Sequence, residues 1–81
     1  MKSDRQFRQA IGMALLNKRN AMSEEGIRIT QEDVAFQAGI SSRYYGSIER
    51  GKVMPSIYTT AKIAEALSMT LPQLCELIEN Y

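Results

Sequence analysis

Apolar residues recur along this chain at helical intervals, and no stretch alternates at period two over the length of a strand. From about Asp4 to Met22, Phe7, Ile11, Ala14, Leu15 and Lys18 share one face at i, i+4, i+7, i+8 and i+11, with the Lys18 stem ending the stripe. Ser23-Glu24-Glu25-Gly26 breaks that pattern and predicts a loop. A second helix is expected over Gln31–Ala38, with Thr30 as N-cap, Asp33 closing a capping box and Gly39 as the stop. Its apolar face is narrow: Val34, Ala35 and Ala38. Ser41 or Ser42 caps a third helix, Ser42–Arg50, which turns Tyr45 and Ile48 inward and stops at Gly51. Pro55-Ser56 opens a fourth, Ser56–Leu67, with Ile57, Thr60, Ile63, Ala64 and Leu67 as its face. Thr70-Leu71-Pro72-Gln73 opens a fifth, Leu71–Asn80, through another capping box. In that helix Leu71, Leu74 and Ile78 lie on one face, and Leu77 and Tyr81 on an adjacent one. The expectation is an all-α, five-helix single domain over residues 1–81, without repeats.

Composition narrows the chemistry. The chain has 81 residues, 44% apolar and 23% charged, as a folded domain does. It has no histidine and one cysteine, so an intrachain disulfide, a Ser-His-Asp triad, a Cys-His pair and a thiolate or histidine zinc site are all excluded. No catalytic residue, cofactor or metal is therefore expected. The longest near-apolar run, Ile11 to Leu16, is far too short for a membrane span, and the first eight residues carry no apolar signal segment. A cytoplasmic binding module is the expected class.

The net charge of +1 hides an uneven distribution. Between Val34 and Ala64 the charges are Arg43, Arg50, Lys52 and Lys62 against Glu49 alone, whereas Glu65 to Tyr81 carries Glu65, Glu76 and Glu79 and no base. The locally basic segment contains the most informative pattern. Gln31 to Ile48 reads as two short helices joined by a glycine turn. Ala35 allows close approach, Gly39 supplies the turn, and Ile40, Tyr45 and Ile48 seat the second helix on the first. Ser42, Arg43, Tyr44, Gly46 and Ser47 remain outward, a small and hydrogen-bonding surface suited to base edges in a major groove.

Here the chain resembles a known family. Thr30-Gln31-Glu32-Asp33-Val34-Ala35, Ala38-Gly39-Ile40-Ser41, Ile48-Glu49-Arg50-Gly51-Lys52, Pro55-Ser56 and Ile63-Ala64-Glu65-Ala66-Leu67 look like the Cro/phage-repressor, or XRE, helix-turn-helix domain, over about Phe7 to Ile78. The run Arg43 to Gly51 is also similar to the controller proteins of restriction–modification systems, a branch of that family. The resemblance implies a lambda-repressor-like fold whose helix-turn-helix lies at about residues 31–50. It implies base contacts from Ser42, Arg43 and Ser47, and phosphate contacts from Gln31, Tyr44, Arg50 and Lys52. It also implies an internal ion pair between Arg19 and Glu49. The loop from Ala21 to Ile29 is several residues longer than the family pattern.

Each of these residues also has a plainer reading. Arg43 can hold guanine O6 and N7 with both arms or lie solvated on the surface. Ser42 can be a cap, and Ser47 an ordinary exposed residue. Tyr44 lies along the sugar-phosphate backbone or covers the domain surface. Glu49 can pair outward with Arg50 rather than inward with Arg19. Cys75, beside Leu74, reads as a small buried hydrophobe. Leu77 and Tyr81, off the core stripe of the last helix, read as a dimer surface. The expected function is a sequence-specific transcriptional regulator that binds double-stranded operator DNA, an inverted repeat, as a homodimer. The alternative is a protein-interaction module on the same fold, such as an antitoxin or adaptor. A hydrophilic outward face on the third helix favours the DNA reader.

Overall fold

The computed structural model describes all 81 residues, and every regular element in it is a helix: α1 (Asp4–Glu24), α2 (Gln31–Ala38), α3 (Ser42–Glu49), α4 (Ile57–Ala66) and α5 (Leu71–Glu79). Each begins at a hydroxyl. Ser3, Thr30, Ser41, Ser56 and Thr70 all stand in extended backbone and accept a hydrogen bond from the N–H three residues on. At Ser3, Thr30 and Thr70 the bond is returned by Gln6, Asp33 and Gln73, completing three capping boxes.

Four helices end in the same way. The chain turns left-handed at Gly26, Gly39, Gly51 and Ser68, and the next residue donates back into the last turn: Ile27 to Met22, Ile40 to Ala35, Lys52 to Ser47 and Met69 to Ala64. Three of the four positions are glycine. Ser68, at φ 60°, takes this conformation with a Cβ and bears its steric cost.

The helices pack pairwise in a closed ring. α1 lies against α3 and α5, α2 against α3 and α4, and α4 against α5. Inside it, Leu15, Val34, Tyr45, Ile48, Ile63, Leu67 and Leu74 are fully buried, and no charged residue is counted in the core. The closest approach is between α1 and the end of α3. A Cβ on Gly12 would stand 2.2 Å from the Glu49 carbonyl oxygen, so only glycine lets these backbones meet.

The structure corrects several expectations. α1 runs two residues further, to Glu24, because Met22 continues the stripe into the core and Gly26 supplies the stop. The surplus length between residues 21 and 29 is therefore taken up largely as helix, and Ile29 is buried where the chain returns. Ala10 and Ala66 join the core. Phe7 and Ile57, expected inside, are 42% and 75% exposed, and Cys75 is exposed as well. These three are not scattered: with Met54, Pro55, Leu71 and Ile78 they line one apolar groove between α1, α4 and α5.

Candidate nucleic-acid interface

The α2–α3 pair is built by short-range rules. Gly39 at φ 74° turns the chain, Ile40 ties back to Ala35, and Ser41 accepts the Tyr44 N–H at 3.0 Å. With Ser41 as the cap, the Ser42 hydroxyl is left exposed on the first turn of α3. Buried Ala35 lets the two helices close on each other, and Tyr45 and Ile48 go to zero exposure beneath α3.

Under this pair lies a charged cluster. The Arg19 guanidinium grips the Glu49 carboxylate with both arms, Nε donating to Oε2 at 2.7 Å and Nη2 to Oε1 at 2.9 Å. Nη1 donates to the Ile29 carbonyl at 3.3 Å, which anchors the α1–α2 connection. The Gln31 Nε2 donates to Glu49 Oε1 at 2.9 Å. The Glu49 side chain is 4% exposed and that of Arg19 16%, so the pair is desolvated and geometrically bidentate, the condition under which an ion pair counts. Burial works against the charge on Glu49, but the hydrogen bonds from Arg19 and Gln31 outweigh it and hold its pKa below the ordinary carboxylate value. The bond to Glu49 raises the pKa of Arg19 in turn. The Tyr45 hydroxyl is buried beside Glu49 without a well-formed hydrogen bond, and burial first, then the neighbouring carboxylate, pushes its pKa far above the usual phenol value.

Above the cluster, Thr30, Gln31, Glu32, Ser42, Arg43, Gly46 and Arg50 line an open cleft that contains no hydrophobic side chain. Four of the residues singled out in the sequence, Gln31, Ser42, Arg43 and Arg50, thus meet in one depression. Arg43 is exposed, and so are Tyr44, at 36%, and Lys52. Ser47 is less free. Its hydroxyl donates to the Arg43 carbonyl at 3.2 Å and accepts from Arg50 Nη2 at 3.4 Å. Leu77 packs against the core, and the Tyr81 hydroxyl bonds to the Asn17 amide on α1, so both are partly used within the chain.

Sequence reasoning passed over two residues here. Glu32 brings a carboxylate to the cleft rim, which its role in the first turn of α2 disguised. Gly46 forms the cleft floor: a Cβ there would lie 3.0 Å from Arg50 Nη1 and 3.5 Å from Gln31 Oε1. A glycine inside a helix, where alanine would be more stable, was the available signal.

The helix-turn-helix family model HTH_3 matches residues 27–74, which span α2 to the start of α5. The chain belongs to this helix-turn-helix family. It is 36% identical over 64 residues to the control protein C.MunI of a Mycoplasma species, covering 79% of this chain and 86% of that one. It is 33% identical over 60 residues to the cryptic phage CTXphi transcriptional repressor RstR of Vibrio cholerae, covering 74% of this chain but only 54% of the relative. Among solved structures, the restriction–modification controller protein C.AhdI of Aeromonas hydrophila superposes with a TM-score of 0.72 at 30% identity, over 83% of this chain and 94% of that one. The all-α helix-turn-helix fold read from the sequence is thus the fold of its relatives, and the XRE-type resemblance is established.

Proposed function

We propose that this helix-turn-helix protein is a sequence-specific, DNA-binding transcriptional regulator that places α3 in the major groove and acts as a homodimer on an inverted repeat. The observation that carries it is the wholly hydrophilic α2–α3 cleft, with Arg43 and Arg50 at its edge, on a chain whose family is one of DNA-binding regulators rather than an enzyme class. In this reading Ser42 and Arg43 reach base edges, and Ser47 joins them by exchanging its internal bonds. Gln31, Tyr44, Arg50 and Lys52 hold phosphates and set the register. Glu32 at the rim repels phosphate and so disfavours placements that bring the backbone over α2.

The homodimer draws support from the apolar groove. Phe7 and Ile57 fall on core-type helical stripes yet stay exposed beside Met54, Leu71 and Cys75, as residues do when a second copy completes the core. Leu77 stands about 200° around α5 from Cys75 and is already packed. The groove, rather than Leu77 and Tyr81, therefore takes the centre of the proposed interface. One recognition helix reads only a few base pairs, and a two-fold pair sets half-sites about 34 Å apart.

The test is selection of bound fragments from random duplex DNA by the purified protein. An enriched inverted repeat with half-sites about one helical turn apart is expected. Recovery of no preferred sequence would sink the proposal.

A further inference from the structure

Gln31 is the first residue of α2, and its carboxamide could turn either way if it were free. It is not free. A carboxylate only accepts hydrogen bonds, so the Gln31 nitrogen must face Glu49 Oε1, 2.9 Å away, and the amide oxygen must face the other way. Glu49 is itself locked by the two-armed grip of Arg19. On the opposite side of the carboxamide the floor is Gly46. Oε1 of Gln31 and Nη1 of Arg50 lie 3.5 and 3.0 Å from the point where a side chain at 46 would begin. The missing side chain lets the amide of α2 and the guanidinium of α3 converge over one spot in the cleft.

We propose that Glu49 is a positioning residue for anion recognition: held by Arg19, it takes one N–H of Gln31 and leaves the second, together with Arg50, preorganised for a single backbone phosphate of DNA. This rests on the DNA-binding reading above and adds a reason for the buried ion pair beyond stability. The amide loses no rotamer freedom on binding, because that freedom is already lost in the free protein. Arg19 and Glu49 touch no phosphate, yet they govern one contact to it.

The experiment replaces the pair by apolar side chains of similar length, Arg19→Met with Glu49→Met, a change of the kind buried ion pairs tolerate without unfolding. Affinity for a mixed-sequence DNA duplex at low salt is compared among wild type, that double variant, Gln31→Ala, and the three changes combined, with helicity checked for each. The double variant and Gln31→Ala should each weaken binding about tenfold, and the triple variant no further than either. Losses that multiply would reduce Arg19 and Glu49 to a structural role and overturn the proposal, as would a Gln31→Ala variant that binds like wild type. Absence of binding by the wild-type protein would instead remove the DNA-binding reading itself. A second measurement stands apart from DNA and from any variant's folding. In the free wild-type protein, 15N relaxation of the Gln31 side-chain amide should give an order parameter near the rigid-backbone value of about 0.85, and a value below about 0.6 overturns the preorganisation.

Discussion

Two open depressions on the same ring of helices have opposite linings. The α2–α3 cleft has seven lining residues and none is hydrophobic, while seven of the nine that line the groove between α1, α4 and α5 are hydrophobic. The cleft is underlaid by a rigid ionic cluster, so its side chains are held from below: Gln31 by Glu49, and Glu49 by Arg19. The groove has no such support and is simply core-type surface without a cover, with Ile57 standing 75% exposed. Polar recognition needs groups fixed in direction, because hydrogen bonds are directional, and a network of partners provides that. Apolar association is non-directional and needs only matching area. One fold therefore provides a rigid polar face and a plain apolar face.

The largest effect should come from breaking the support of the cleft. Glu49→Ala leaves Arg19 without its partner under a nearly buried site and should cost about 3–5 kcal/mol in urea unfolding. An effect below about 1 kcal/mol would mean that the pair behaves as an exposed one. Gly12→Ala comes next. Its new methyl meets the Glu49 carbonyl and must push α1 off α3, so a loss of about 1–3 kcal/mol is expected, whereas a stabilised variant would contradict the backbone contact.

On the groove side the expected change is in association. Ile57→Asp should leave monomer stability within about 0.5 kcal/mol, because the residue is on the surface. It should weaken self-association at least about tenfold in sedimentation equilibrium. Leu77→Asp should instead lower monomer stability, since Leu77 packs on the core. The reverse pattern would move the interface back to Leu77 and Tyr81.

Acid should act on the cleft and spare the groove, which carries no ionisable acid or base other than the Cys75 thiol. Because the folded-state pKa of Glu49 is depressed below the model value of 4.5, its contribution is present above that value. It is lost as pH falls through the depressed one. Asp33, lowered by its bonds to Thr30, acts in the same direction. Chemical denaturation at descending pH should show stability flat above about pH 5 and falling below about pH 4, with Glu49→Gln flattening part of the slope.

The smallest effect should be a gain. Ser68→Gly relieves the left-handed strain at the end of α4, far from both depressions, and should stabilise by about 0.5–1 kcal/mol.

Much of the architecture is legible in residue order because it is local. The five hydroxyl caps, three of them with return partners, and the glycine stops at Gly39 and Gly51 depend on residues at most five apart, so reading them needs no tertiary information. The faces of α2 and α3 follow the same logic, since Val34, Ala35, Ala38, Tyr45 and Ile48 recur at helical spacing and all are buried. Arg19 and Glu49, thirty residues apart, were reachable only through family resemblance, as no spacing rule links them. Gly26 and Ser68 could have been read as helix ends, but the polar run at 23–26 reads as a loop and a serine is an unusual occupant of the left-handed region.

What the sequence by itself determined is where helices start and stop, which of their faces are apolar, and that the outward face of α3 is hydrophilic. All of these depend on backbone hydrogen bonding and side-chain periodicity within a few residues. Only the tertiary structure decided which apolar stripes are covered. Periodicity places Phe7 and Ile57 on the core side of α1 and α4, but burial depends on where neighbouring helices end, and no partner within this chain reaches over them. The same holds for the cleft. Composition offered glutamine, glutamate, arginine and glycine at 31, 49, 50 and 46, and the ring of helices brought them together so that one carboxylate fixes the direction of one amide. Direction is a property of three-dimensional contacts, and residue order carries it only after the chain has folded.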